Sequence, residues 1–173
     1  MRVFKSTPSS SLLVELKIIG YVRVDADDEY VRSHAGTVVG SIEILPEYEE
    51  ALNGLEEYSH IFIISILHKI PPEGRTVLKV RPRRLLRIGF REREVPLVGV
   101  FASDSPARPN PIGLTLVRLL KREGRVLRVE GLDLFDGTPL VDIKPYKPDY
   151  RVEEYNCPDW AKLDSNPQPN KKD

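Results

Sequence analysis

The chain consists of short apolar runs separated by turn-forming residues, and this pattern limits its fold more than any other feature. Runs rich in β-branched or other apolar residues, typical of strands, lie at Ile42 to Leu45, Ile61 to Leu67, Leu114 to Lys121 and Val126 to Val129. Strands do not alternate with long helices, which excludes the usual parallel nucleotide-binding folds. We therefore predict a mainly all-β protein, a small single-sheet β-barrel with one or two short helices.

The length and composition predict one domain with loose ends. The chain has 173 residues, of which 40% are hydrophobic, enough for one sizeable core. We predict a flexible N-terminus over residues 1–12, a barrel domain over residues 13–150 and a loosely ordered C-terminal tail over residues 151–173. There is no long apolar window or signal-peptide pattern, and Cys157 is the single cysteine. We expect a cytoplasmic protein without a membrane span, a disulfide or a metal site.

Individual elements follow from local patterns. Val14 to Asp25 alternates between apolar and charged residues and predicts a first strand with a bulge at Gly20, followed by an acidic turn from Asp25 to His34. A short helix is predicted to begin at Pro46, since proline suits the first helical position. The continuous apolar run Ile61 to Leu67 predicts a strand that is buried on both faces.

A proline-rich stretch occupies the middle of the chain. Val98 to Ala102 predicts a strand, and it is followed by three prolines within residues 106–111. Each proline fixes its own φ and favours an extended conformation in the residue before it. A stiff loop of this kind suits a segment that holds Ser103, Asp104, Arg108 and Asn110 around a ligand. It also suits a simple turn between two strands, and both interpretations stay open.

Polar residues follow several apolar runs and are therefore expected at strand ends, where barrels build binding sites. These are His68-Lys69, Ser103-Asp104, Arg108 to Asn110 and Asp133 to Thr138. Carboxylates at such a position accept hydrogen bonds from a ribose or lie near a ligand cation. The alternative is that Asp133 and Asp136 only form an Asx turn before Gly137.

The charges are unevenly distributed although the formal net charge is zero. Residues 1–60 contain five Lys or Arg and eleven Asp or Glu, whereas residues 75–93 contain eight Lys or Arg and one acid, Glu92. The planar arginine side chain suits phosphate, so we consider Arg81, Arg83, Arg84 and Arg87 as RNA-binding candidates. A charged, solvated edge strand would give a similar pattern.

Three segments carry a resemblance to a known family: LPEYEEALNGLEEYSHIFII, SPARPNPIGLTLVRLL and GLDLFDGTPLVDIKPY. They closely resemble the tRNA methyltransferase O family, in the same order, over Ile18 to Pro148. The resemblance implies a β-barrel methyltransferase that uses S-adenosylmethionine and methylates N6 of N6-threonylcarbamoyladenosine at position 37 of tRNA. It also implies a homodimer with the cofactor near the subunit interface.

Transferred by position, the resemblance implies a set of cofactor-binding residues. They are His68, Lys69, Phe101, Ala102, Ser103, Asp104, Arg108, Asn110, Leu114, Asp133, Leu134, Phe135, Asp136, Gly137 and Thr138. The candidates for the base that accepts a proton from the target nitrogen are Asp104, His68 and Asp136.

The chain also departs from the family pattern. Asp104 stands where many bacterial members have arginine, and a Pro-Arg-Gln triplet is absent near Val31-Arg32-Ser33. Longer members carry a C-terminal domain, so we expect tRNA binding here to involve the basic stretch of the barrel domain. The alternative functions are methylation of another substrate and a non-catalytic barrel that binds S-adenosylmethionine or RNA.

Overall fold

The computed structural model describes residues 14–165 and contains a closed antiparallel barrel. The strands are β1 (Gly20–Arg23), β2 (Val38–Ile44), β3 (His60–Ile66), β4 (Lys79–Val80), β5 (Val98–Gly99), β6 (Ile112–Glu123), β7 (Val126–Leu132) and β8 (Pro139–Pro145). Six of them close the barrel in the order β1, β2, β7, β6, β3, β8, and β4 pairs with β5 in a separate two-stranded sheet. The prediction of a small, mainly all-β barrel is confirmed.

Short helices lie in the connections between strands and after β8. The α-helices are α1 (Asp28–Ser33), α2 (Arg83–Arg87) and α3 (Asp159–Ser165). The 3₁₀ helices are Pro46–Leu52, Leu55–Glu57, Pro72–Thr76, Glu92–Glu94, Val100–Ala102 and Pro148–Tyr150. The helix predicted at Pro46 is thus present as a 3₁₀ helix. The N-terminus predicted to be flexible and the last part of the predicted tail, residues 166–173, lie outside the described residues.

The hydrophobic core fills the inside of the barrel. Side chains alternate between the two faces of a strand, so every second residue of β6 and β7 points inward. Val117, Leu127 and Val129 are almost completely buried as a result, and Leu132, beyond a register shift between β2 and β7, is buried as well. The β3–β6 connection (residues 67–111) has further buried residues outside this core, among them Leu85.

The strand order gives the barrel two different ends. At the upper end, β1, β3 and β7 finish while β2, β6 and β8 begin. This end therefore carries the β1–β2 connection (residues 24–37), the β3–β6 connection and the β7–β8 connection (residues 133–138). The lower end carries residues 45–59 and the β6–β7 turn at Gly124. All segments that the sequence identifies as candidate site loops consequently belong to the upper end.

The beginning of the barrel differs from the prediction. The first strand is wrong in extent, because β1 spans only Gly20–Arg23. The bulge at Gly20 is also wrong: Gly20 pairs in register with Ile44 and Leu140. A Cβ atom at Gly20 would lie 2.5 Å from the carbonyl oxygen of Glu43, so glycine permits close contact between strands here.

The predicted acidic turn from Asp25 to His34 is wrong because it contains α1. Asp27 caps this helix by accepting a hydrogen bond from the amide of Tyr30 at 2.8 Å. Asp28 and Glu29 lie in its first turn and Arg32 in its last, which is the charge order that the helix dipole favours. The N-cap and charge pattern could have identified this helix from the sequence.

Two further strand predictions are corrected by the structure. The strand predicted over Val98 to Ala102 ends at Gly99, and Val100–Ala102 forms a 3₁₀ helix. β3 is not buried on both faces: Ile61 and Ile63 are buried, but Phe62 is only half-buried. The reason is that the inner face of β3 meets the core, whereas its outer face is only partly covered: the ring centres of Tyr146 and Tyr150 lie 5.8 Å and 5.2 Å from that of Phe62.

Candidate functional site

The β3–β6 and β7–β8 connections meet at the upper end around Gly113. The amide of Leu67 donates a hydrogen bond to the carbonyl oxygen of Pro111 at 2.7 Å, which joins the end of β3 to the beginning of β6. A Cβ atom at Gly113 would lie 2.6 Å from Ser65 Oγ and 3.6 Å from Leu134 Cδ2. The absence of a side chain at Gly113 therefore allows the three segments to pack closely.

Arg108 braces the proline-rich loop (residues 103–111) from inside. Its guanidinium donates hydrogen bonds to the carbonyl oxygens of Ser105 at 2.9 Å, Val100 at 3.3 Å and Ser103. The Ser103 hydroxyl donates to the Val100 carbonyl at 3.0 Å. Arg108 thus shapes the loop, while Asn110 is exposed.

The two aspartates of the β7–β8 connection accept hydrogen bonds from other parts of the barrel. Thr115 Oγ1 donates to Asp133 at 2.6 Å, and the amide of Val24 donates to Asp136 at 3.0 Å. These bonds attach the connection to β6 and to the end of β1. Asp136 therefore has a structural role in addition to the role predicted for it.

The pKa of the Asp133 carboxyl is shifted by burial and by neighbouring groups, among them Asp104 of the proline-rich loop. Desolvation raises the pKa of its carboxyl above the ordinary value, against the lowering effect of the hydrogen bond from Thr115. The negative charge of Asp104 raises this pKa further. The carboxyl groups of Asp104 and Asp133, which belong to two separate connections, are therefore close enough for the charge of Asp104 to act on Asp133.

The remaining residues of the β7–β8 connection hold its conformation. Leu134 is buried in the barrel core, and Gly137 donates a backbone hydrogen bond to Val22 at 2.9 Å. Thr138 is buried, and its hydroxyl donates to the carbonyl of Phe135 at 2.7 Å. These contacts fix the position of Phe135 at the edge of the upper end.

Helix α1 adds residues that the sequence analysis missed. Asp28 forms an ion pair with Lys69 at 2.5 Å. Lys69 Nζ and Arg32 Cζ each lie 4.9 Å from the centre of the Phe135 ring, within cation–π range. The structure thus brings together the predicted residues Lys69 and Phe135, and it adds Asp28 and Arg32 to them.

His68 lies beside this group. Burial, and next the positive charge of Lys69, lower the pKa of His68 below its ordinary value, while Asp28 has a smaller opposing effect. The lowered pKa favours the neutral imidazole, which is the form that can accept a proton.

Other predicted residues face outward. The Phe101 side chain is 81% exposed and Leu114 is 67% exposed, and Ala102 and Asp104 are also exposed. Leu114 belongs to an apolar outer face of β6 that includes Ile112, Leu116 and Leu120. Phe101 and Leu114 are thus open to solvent in the single chain.

The basic stretch forms a helix at its centre, so an edge strand is the wrong description for Arg83, Arg84 and Arg87. These three residues of α2 are exposed, and within residues 14–165 their side chains have no hydrogen bond or ion pair. Arg81 differs, since it donates to the carbonyl of Val95 and lies 3.7 Å from Glu92. Arg81 therefore stabilises the β3–β6 connection, and three arginines are left available.

The upper end also contains an open cavity of about 530 Å³ at the β1–β2 connection, lined by residues 24–27, Tyr30 and residues 37–39. In the described part of the chain, no cluster of three or more His, Cys, Asp or Glu could hold a metal ion. No helix among the same residues has the length and apolar character needed to span a membrane.

The closed barrel and its polar upper end define a class of small β-barrels with a candidate ligand site at one end. Residues 32–151 match the family model described as the tRNA-methyltransferase O N-terminal domain. The chain therefore belongs to the tRNA-methyltransferase O family, and the predicted resemblance is confirmed.

Individual relatives agree with this assignment. A probable S-adenosyl-L-methionine-binding protein of Methanothermobacter thermautotrophicus is 41% identical over 81% of this chain and 95% of its own length. A mouse tRNA (adenine(37)-N6)-methyltransferase is 45% identical over 59% of this chain and 22% of its own length. The crystal structure of TrmO from Pseudomonas aeruginosa has a TM-score of 0.63 and 32% identity, covering 86% of this chain and 62% of that chain.

The chain spans less than two thirds of several relatives. It covers 60% of a probable S-adenosyl-L-methionine-binding protein of Pyrococcus abyssi, with 43% identity. The matched region makes up 22% of the length of the mouse enzyme.

Proposed function

We propose that this protein is an S-adenosylmethionine-dependent tRNA methyltransferase that modifies N6 of N6-threonylcarbamoyladenosine at position 37. The observation that carries the proposal is the meeting of the β3–β6 and β7–β8 connections around Gly113, at one end of a barrel of this family. The names of the archaeal relatives support the cofactor, and the name of the mouse relative supports an adenine at position 37 as the target.

The residues at the upper end fit the proposed cofactor. S-adenosylmethionine supplies an activated methyl group on a positively charged sulfonium. The carboxylates of Asp104 and Asp133 favour a cation, and the exposed Phe101 and Leu114 offer apolar surface. The other residues of the set transferred from the family belong to the same proposal, with Arg108 acting through the shape of the loop.

The protein's main contribution would be to orient the target nitrogen and to accept its proton. That nitrogen is conjugated to a carbamoyl group and is a weak nucleophile, so a base assists the transfer. Asp104 is exposed without a hydrogen bond or ion pair in the described chain, and the lowered pKa of His68 favours its neutral form. Asp136 is the third candidate, although one of its oxygens accepts from Val24.

Helix α2 is the proposed tRNA contact. Exposed arginines without partners bind phosphate oxygens and make the affinity depend on salt. The double variant Arg83→Gln/Arg84→Gln should weaken tRNA binding and reduce the slope of log K against log salt by about 1.5 to 2. The double variant Arg128→Gln/Arg151→Gln, which removes two other exposed arginines, is the control. An unchanged slope in the α2 variant would refute this role.

The outer face of β6 supports a homodimer as part of the proposal. An apolar face with Leu114 at its centre, next to the candidate site, is typical of a surface that pairs with a second copy. Leu114→Glu should produce monomers in analytical ultracentrifugation. Val152→Glu is the matched control, because Val152 is 65% exposed and lies outside the barrel strands. A wild-type chain that is monomeric at micromolar concentration would refute the dimer.

The activity is tested by incubating the protein with labelled S-adenosylmethionine and threonylcarbamoylated tRNA, followed by nucleoside analysis. Label on N6 of the modified adenosine is the expected result, and we expect the reaction to take place in the cytoplasm. Label on another nucleoside would show that the protein methylates a different substrate. Cofactor binding without transfer would instead support a non-catalytic barrel.

A further inference from the structure

One ion pair links two connections of the upper end that no strand pairing joins. Asp28 belongs to α1 in the β1–β2 connection, and Lys69 belongs to the β3–β6 connection. Their side chains are 34% and 42% exposed, and the distance of 2.5 Å gives a charge-assisted hydrogen bond.

The same pair acts on the β7–β8 connection through Phe135. Lys69 Nζ lies 4.9 Å from the centre of the Phe135 ring, and Arg32 Cζ lies at the same distance. Asp28 also lies 3.9 Å from Arg32, so one carboxylate is close to both cations that contact the ring. Asp28 therefore holds together residues of all three upper-end connections.

We propose that Asp28 is a positioning residue, which holds Lys69 and Arg32 against Phe135 and thereby fixes the β7–β8 connection for cofactor binding. The inference rests on the proposed function, because the β7–β8 connection contributes to the proposed cofactor site. Without Asp28, the Lys69 side chain loses its anionic partner and the ring loses a fixed cation.

The chain contains a close control for this residue. Glu29 is the next residue of the same helix and lies 3.6 Å from Arg32, but it has no contact with Lys69. Asp28→Asn and Glu29→Gln therefore remove the same charge from the same helix, and only the first breaks the link to Lys69. Asp28→Glu restores the charge.

The first measurement is hydrogen exchange of the full chain without cofactor. The amides of Gly137 and Thr138 form backbone hydrogen bonds to Val22 and Phe135 and report on the β7–β8 connection. Asp28→Asn should accelerate their exchange about two- to five-fold, whereas Glu29→Gln and Asp28→Glu should leave it near the wild-type rate. Unchanged exchange in Asp28→Asn would overturn the positioning role, whether or not the chain binds S-adenosylmethionine.

The second measurement is the dissociation constant of S-adenosylmethionine by calorimetry. Asp28→Asn should raise it about two- to five-fold at low salt, with a smaller effect at high salt because ions screen a half-exposed pair. Equal affinity of Asp28→Asn and wild type would overturn the link to the cofactor. If the wild-type chain does not bind S-adenosylmethionine, the proposed function fails, and the exchange result alone decides the positioning role.

Discussion

Ser65 provides a direct test of the packing beneath the candidate site. Its hydroxyl is completely buried at the upper end of β3 and has no hydrogen-bond partner in the described chain. A buried, unpaired hydroxyl costs about 1–3 kcal/mol of desolvation. Ser65→Ala removes this cost but leaves a small void, so we expect a net stabilisation of about 1 kcal/mol.

Thr138 is the control, because its buried hydroxyl has a partner. It donates to the Phe135 carbonyl at 2.7 Å. Thr138→Val should therefore destabilise the protein by about 1 kcal/mol. In a chain of this size, 1 kcal/mol corresponds to about 2–4 °C in Tm, which calorimetry or urea unfolding resolves. Ser65→Ala should raise the Tm and Thr138→Val should lower it.

The close packing of Ser65 against Gly113 can be tested with a double-mutant cycle. In Gly113→Ala, the new Cβ would lie 2.6 Å from Ser65 Oγ and 3.0 Å from Leu67 Cδ2. We expect this overpacking to cost about 1–3 kcal/mol, and to cost at least about 1 kcal/mol less when Ser65 is alanine. Independent effects of the two substitutions, or a lower Tm for Ser65→Ala alone, would refute the described contact.

Three other substitutions test individual contacts. Asp133→Asn retains an acceptor for Thr115 and removes a charge whose pKa is raised in the folded chain. Because the folded wild type then binds more protons than the unfolded chain, its stability falls as the pH rises from about 4 through the raised pKa. The Tm difference between Asp133→Asn and wild type should grow over this interval in calorimetry, and a constant difference would contradict the shift. Asp136→Ala removes the acceptor of the Val24 amide, so urea unfolding should show a loss of about 1–3 kcal/mol, unlike a variant of a free surface carboxylate. Arg108→Lys cannot reproduce the planar contacts to three carbonyls, and a Tm decrease of at least about 2 °C is expected; an unchanged Tm would show that the brace is dispensable.

The sequence predicted the barrel because its strands have strong local patterns. β6 and β7 are rich in apolar residues and are joined by a glycine turn, so both their type and their pairing follow from local rules. The outer face of β3 could not be predicted in the same way. Phe62 is as apolar as the buried residues beside it, and only the arrangement of neighbouring elements leaves it half-buried.

The candidate site was predicted in part. Strand ends and proline chemistry identified the proline-rich loop and the β7–β8 connection, and the charge of Asp104 in the first acts on Asp133 in the second. Asp28 could not be predicted from the sequence, because its ion pair with Lys69 joins residues 41 positions apart. Arg81 could not be distinguished from the free arginines, since no local pattern shows that it binds the Val95 carbonyl.

The proposed location of the cofactor site at the upper end can be tested by following amide chemical shifts of ¹⁵N-labelled protein during titration with S-adenosylmethionine. We predict the largest changes at the upper end, at Leu67, Gly113 and Gly137, and little change at Gly124 in the lower-end turn. Shifts concentrated around Gly124, or no shifts at saturating cofactor, would contradict this location of the site.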